Sequence, residues 1–140
     1  MRKLFTVPGT PQGKARPRVV TKGGVTRGYT PAKTVAYEQT IAAAYKCAFP
    51  CSTPCAGPVE LKVTAYMPVA RSWSRAKKAQ ALAEIIAPTA KPDADNILKA
   101  IADGLNGIAW EDDKQIVYAE VRKKYGATPR VEVDIWEAGR

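Results

Sequence analysis

The stretch Val59-Glu60-Leu61-Lys62-Val63-Thr64-Ala65-Tyr66-Met67 alternates apolar residues with mostly polar ones. Successive side chains of a strand point to opposite sides, so this is a strand with one buried face. Pro68 ends it. Downstream, Ile97, Leu98, Ile101 and Leu105 fall on one helical face, and Asn106-Gly107 supplies a stop. Two further strands are expected over 115–124 and 130–136. In the second, Val131, Val133 and Ile135 face in while Glu132 and Asp134 face out. A turn at Gly126 is expected to join the two as a hairpin.

Upstream, Lys3 to Val7 reads as a strand closed by Pro8-Gly9. Residues 9–18 hold too much Pro and Gly for regular structure. Residues 18–29 read as a hairpin turning at Gly23-Gly24. Thr30 is expected to cap a helix with Pro31 at its first position, running to about Cys47. Tyr37, Ile41, Ala44 and Ala48 share a face of it. Ser72 or Ser74 caps another helix over roughly 75–86, broken at Pro88. Strands interspersed with helices give an α+β fold, a mixed β-sheet covered by helices. With 140 residues, one core and a single domain over 1–140 are expected.

Composition narrows the chemistry. There is no histidine, so a Ser-His-Asp triad, a Cys-His pair, a histidine base and a histidine zinc site are all excluded. Cys47, Cys51 and Cys55 are odd in number and lack a fourth ligand, and read as idle thiols. No run reaches the roughly 18 apolar residues of a membrane helix. Pro8 arrives too early for a signal-peptide core. A cytoplasmic protein with no membrane partner is expected.

The net charge is +9, and it is concentrated. Residues 1–33 carry eight basic residues and no acid, while the rest carry 14 basic against 13 acidic. A localised basic segment is the footprint of a polyanion partner, nucleic acid by default. The arm over about 9–29 supplies Lys14, Arg16, Arg18, Lys22 and Arg27 as candidate DNA-binding residues. A solvated surface is the plainer alternative.

The densest chemistry lies in Lys91-Pro92-Asp93-Ala94-Asp95-Asn96-Ile97-Leu98-Lys99. Proline biases Lys91 toward extended backbone. In extended chain Asp93 and Asp95 project together; in a helix they would lie about 200° apart. Asp93 is therefore expected just before the helix, with Asp95 at or near its N-cap. One aspartate explains a cap, and two exceed that need. Lys99 lies one turn beyond Asp95, where an ordinary helical ion pair would also place it. A second acidic group, Glu111-Asp112-Asp113, precedes the strand at 115. Carboxylate oxygens suit Mg²⁺, with Mn²⁺ as a substitute. Asp93 and Asp95 on one element and Asp113 on another would form such a site, the helix folding them together. Acids beside a basic surface repel phosphate unless a metal lies between, which points to metal-dependent phosphodiester hydrolysis.

Other readings stand beside this one. Pro92-Asp93 with Asp112-Asp113-Lys114 formally fits the PD…(D/E)-x-K pattern of restriction-type nucleases. That pattern spans a hairpin, whereas here a helical period intervenes. A non-catalytic branched-DNA-binding protein would use the acids as caps. An Asp-x-Asp transferase would leave the basic arm unexplained.

Lys-Pro-Asp-x-Asp-Asn-x-x-Lys at 91–99, Asp-Gly-Leu-Asn-Gly at 103–107 and Asp-Asp-x-Gln at 112–115 together resemble the RusA family of Holliday junction resolvases. Gly9-x-Pro11-x-x-Lys14-x-Arg16-Pro17-Arg18 and Ser72-Trp73-Ser74 resemble its longer, phage-type members. The resemblance spans roughly residues 3–136, with 91–115 as the catalytic segment. It implies a homodimeric, Mg²⁺-dependent endonuclease acting on four-way or other branched DNA in recombination and repair. It matches the family's three essential aspartates to Asp93, Asp95 and Asp113, and its functional lysine to Lys99. It also implies paired symmetric nicks that leave 5′-phosphates.

Overall fold

The computed structural model describes residues 2–15, 18–29 and 31–138; at Arg18 and Tyr29 it describes the backbone alone. The chain runs through β1 (Arg2–Pro8), β2 (Arg18–Lys22), β3 (Val25–Tyr29), α1 (Ala32–Ala48), β4 (Val59–Pro68), α2 (Arg75–Leu82), α3 (Ala94–Leu105), a single 3-10 turn (Asp113–Gln115), β5 (Ile116–Gly126) and β6 (Arg130–Glu137). Four strands form one sheet in the order β1-β6-β4-β5, and β2-β3 form a separate two-stranded ribbon. The sheet is mixed: β4 is parallel to β5 and antiparallel to β6, and β1 is antiparallel to β6. The expected α+β domain is what is seen.

The alternation in β4 does what its pattern predicts. Val59, Leu61, Val63 and Ala65 are fully buried. They join Phe5, Val7, Val131 and Val133 in one core with Tyr37, Ile41 and Tyr45 of α1 and Ile97, Ile101 and Leu105 of α3. The opposite sheet face carries ion pairs instead: Arg2 with Asp134, Lys62 with Glu120 at 3.8 Å and Arg130 with Glu132 at 3.0 Å. Gly104 lets the two helices touch. A Cβ there would stand 2.9 Å from the Ile41 Cβ.

Three expectations are corrected. β5 and β6 are not a hairpin, because β4 lies between them. Residues 127–129 cross over the end of β4, and two strand spacings of about 4.8 Å are within reach of so short a link. Gly126 makes the crossing possible, since a Cβ there would meet the Tyr66 Cβ at 2.9 Å. The first helix begins at Ala32 with Pro31 as its N-cap, one position later than expected. Thr30, the expected cap, lies outside the described residues. α2 is capped by Ser74, whose side chain accepts from the Lys77 amide at 3.2 Å, but it stops at Leu82. Glu84 follows with φ of +64°, which no helix continues.

Candidate active site

α3 carries the first acidic pair at its head. Asp93 is the N-cap, with extended backbone, and Asp95 lies in the first turn. The helix therefore starts earlier than expected, and the two aspartates do not share a strand-like projection. A capping aspartate accepts from a first-turn amide. The Asp93 side chain makes no such bond. Both carboxylates are exposed and without partners among the described residues. They sit at the positive end of the helix dipole, which favours their charge. Neither a side-chain cap nor an ion pair holds them, and their oxygens are open to solvent.

The second acidic group is divided in its roles. Asp112 caps the 3-10 turn: its carboxylate accepts from the Lys114 amide at 2.9 Å, and its own amide donates to Gln115 Oε1 at 2.8 Å. Gln115 Nε2 donates to the carbonyls of Cys55 and Gly57, both at 2.8 Å. Asp112 and Gln115 thus fasten the turn to the 55–57 loop. Asp113 is presented by that fastening. Its Oδ1 accepts from the indole of buried Trp110 at 2.8 Å, and its amide donates to Asn106 Oδ1 at 3.0 Å. Its Oδ2 has no partner among the described residues.

The two groups stand at opposite ends of α3. Asp93 occupies the N-cap position, while Asp113 is bonded to Asn106, the residue that ends the helix. Twelve helical residues rise about 18 Å. The parallel β4–β5 pair gives the same picture. Asp113 lies just before Ile116, which is level with Val59 at the start of β4, whereas Asp93 follows the chain's exit from the far end of β4. Among the described residues no three acids or cysteines are close enough to hold one ion. The helix was expected to fold the two groups together; it holds them apart. The donor set still fits a hard cation, because Mg²⁺ is commonly held by one or two carboxylates plus substrate phosphate. Asp93 and Asp95 offer that pair, and Asp113 offers a further oxygen elsewhere.

The basic candidates separate as well. Lys99 is exposed and pairs with Asp103 one turn on, at 3.2 Å. Lys14 is not a free cation. Its Nζ lies 3.1 Å from both Glu38 of α1 and Asp103 of α3, and its amide donates to the Asn96 carbonyl. Burial pulls the Lys14 pKa down, but hydrogen bonds and charge from Asp103 and Glu38 outweigh it, and the net shift is upward. Lys22 and Arg27 are exposed on the ribbon. Arg16 and the Arg18 side chain lie outside the described residues. Sequence reasoning missed Trp110 and Glu38, and it took Asp103 and Asn106 as parts of a motif and a helix stop without giving either a partner. An indole donor two positions before an acidic pair was the available signal for Trp110.

A family model described as endodeoxyribonuclease RusA matches residues 8–136. The chain belongs to the RusA family. The RusA match covers both ends of α3, so both acidic groups lie within it. The chain is also similar to the uncharacterized protein YqaN of Bacillus subtilis (strain 168), 39% identical over 135 residues, 95% of this chain and 94% of the relative. RusA membership implies an endodeoxyribonuclease whose substrate is junction DNA. No helix among the described residues is long and apolar enough to cross a membrane.

Proposed function

We propose that this RusA protein is a Mg²⁺-dependent Holliday junction resolvase that works as a two-fold homodimer and makes paired symmetric nicks. The observation that carries the reading is the pair of open carboxylate groups at the two ends of α3, too far apart to meet within one chain. A two-fold axis offers each head a second copy's tail, twice over. Asp93 and Asp95 of one copy, with Asp113 of the other, would then hold the cation.

When bound, the divalent cation supplies an acidified water and offsets phosphate charge. Trp110 and Asn106 fix Asp113, leaving Oδ2 as its ligand atom. Lys99, steadied by Asp103, is free to face the phosphate and stabilises charge there during attack. Hydrolysis adds the water oxygen to phosphorus and releases O3′, leaving a 5′-phosphate. Arg16, Arg18, Lys22 and Arg27 hold backbone phosphates, which positions the junction without reading sequence. Lys14 is set aside from that group because its charge is already matched.

The test is mixed dimers. A dimer of one Asp93→Asn chain and one Asp113→Asn chain keeps one wild-type site if sites are shared, and is expected to nick one strand of a junction. If each site lay within one chain, both would be dead. The converse dimer, wild type with an Asp93→Asn/Asp113→Asn chain, should be inactive. Activity in the converse dimer and none in the first would overturn the shared site.

A further inference from the structure

The β2-β3 ribbon leaves apolar side chains exposed on its surface. Its turn, Lys22-Gly23-Gly24-Val25, has φ of +59° and +79° at the two glycines, the tight turn that suits strand twist. The strands pair with each other and join no other sheet. An isolated two-stranded hairpin is marginal in water. Yet Val19, Val20 and Val25 are 66%, 46% and 54% exposed.

The register sorts the side chains. Val20 is opposite Arg27 and Lys22 opposite Val25, so these four share a face, apolar beside basic in both pairs. They line one shallow concavity. The other face carries Val19, Gly28 and the pair Thr21–Thr26, whose hydroxyls lie 3.1 Å apart. Among the described side chains it carries no charge. We infer that the Val20–Lys22–Val25–Arg27 face lies in the major groove of a junction arm, with the cations on phosphates and the valines against thymine methyls.

Charge selects the occupant. Residues 1–33 contain no acid, so an acidic polymer is favoured over a second copy of an equally basic ribbon. Width agrees, since the major groove, about 12 Å across, admits a two-stranded ribbon. The C5 methyl of thymine is exposed only there, and it is the apolar group a valine can read. This rests on the junction-nuclease reading and adds a contact that is not electrostatic. The arm would then bias where the enzyme settles on DNA.

The experiment measures binding of the full-length protein to a four-way junction in chelator, so that no strand is cut. Two junctions are compared, identical except that uracil replaces thymine in one, which removes the methyls alone. Wild type is expected to bind the uracil junction about fivefold more weakly. A Val20→Thr/Val25→Thr variant, which keeps β-branching and so keeps the strands, should bind both junctions alike with an unchanged salt slope. Val19→Thr, on the other face, should behave as wild type. Wild-type binding that ignores the methyls overturns the inference alone, as does a Val19→Thr loss equal to the double variant's. Dissociation of a dimer by the double variant would give the face to a second copy and overturn it too. No junction binding at any salt would overturn the nuclease reading with it.

Discussion

Lys14 and Lys99 both reach Asp103, yet the structure gives them different work. Lys14 is held between two acids on two helices, and replacing it leaves Glu38 without its partner. Lys14→Met should therefore lower stability by about 1–3 kcal/mol, seen in urea unfolding, and leave the salt slope of DNA binding unchanged. Its raised pKa fixes the pH dependence. The stabilisation is complete below the ordinary lysine value of 10.5 and fades only as pH climbs through the raised one. Lys22→Ala and Arg27→Ala should do the reverse: each flattens the log–log salt slope by about 0.9 and leaves unfolding within about 0.5 kcal/mol of wild type. At the aspartates, Asp93→Asn and Asp95→Asn should abolish cleavage with stability intact, because neither carboxylate bonds to the protein. Asp112→Ala removes a cap instead, so melting should fall by the equivalent of about 1 kcal/mol. Asp93, Asp95 and Asp113 stand out in the sequence because acids crowd together there without an obvious structural need. The burial of Lys14 was not legible, since its two partners are 24 and 89 residues away, and charge content says nothing of pairing at that distance.

The elements divide in the same way. β4 and α3 are written in the sequence as clean periods of two and 3.6, and both form, although α3 starts earlier than expected. The link after β5 misleads because a short Gly-containing turn between two alternating runs is also what a hairpin looks like. Which strand lies beside which is decided by long-range pairing, and here β4 takes both edges. Gly126→Ala tests that crossing. Its Cβ would press on Tyr66, a rigid neighbour in the central strand, so the variant should lose about 1–3 kcal/mol in urea unfolding. Gly104→Ala should lose a similar amount and should also slow cleavage, because it prises α1 from the helix at whose two ends the acidic groups stand. Equal cleavage rates in wild type and Gly104→Ala would show that the seat of α3 on α1 does not set the site. The helix itself was legible; that its length separates the two groups was a matter of counting turns once its ends were known.

For the whole molecule, symmetry is the testable property. Sedimentation should show a dimer, and cleavage mapped on all strands of a junction should show nicks placed symmetrically about its centre. Linear duplex should be bound but cut slowly, because it cannot supply both sites with strands. A monomer that cuts linear duplex as fast as a junction would leave only a general nuclease. The mixed sheet, its cover of helices and the basic first quarter of the chain could all be read before the structure. The separation that leads to a proposed shared site could not, because it depends on a distance.

The 18 Å stature of α3 also bears on how such an enzyme behaves when it is scarce. If heads and tails must come from different chains, an isolated chain has two half-sites and no whole one. Activity per chain then falls away on dilution below the dimer's dissociation constant, because association depends on concentration and chemistry requires association. A DNA-cutting enzyme made in small amounts would be silent, and would switch on over a narrow range as copies accumulate. Specific activity measured across a dilution series should fall in step with the fraction of dimer, and a tethered tandem of two chains should stay active at dilutions where the free chain does not.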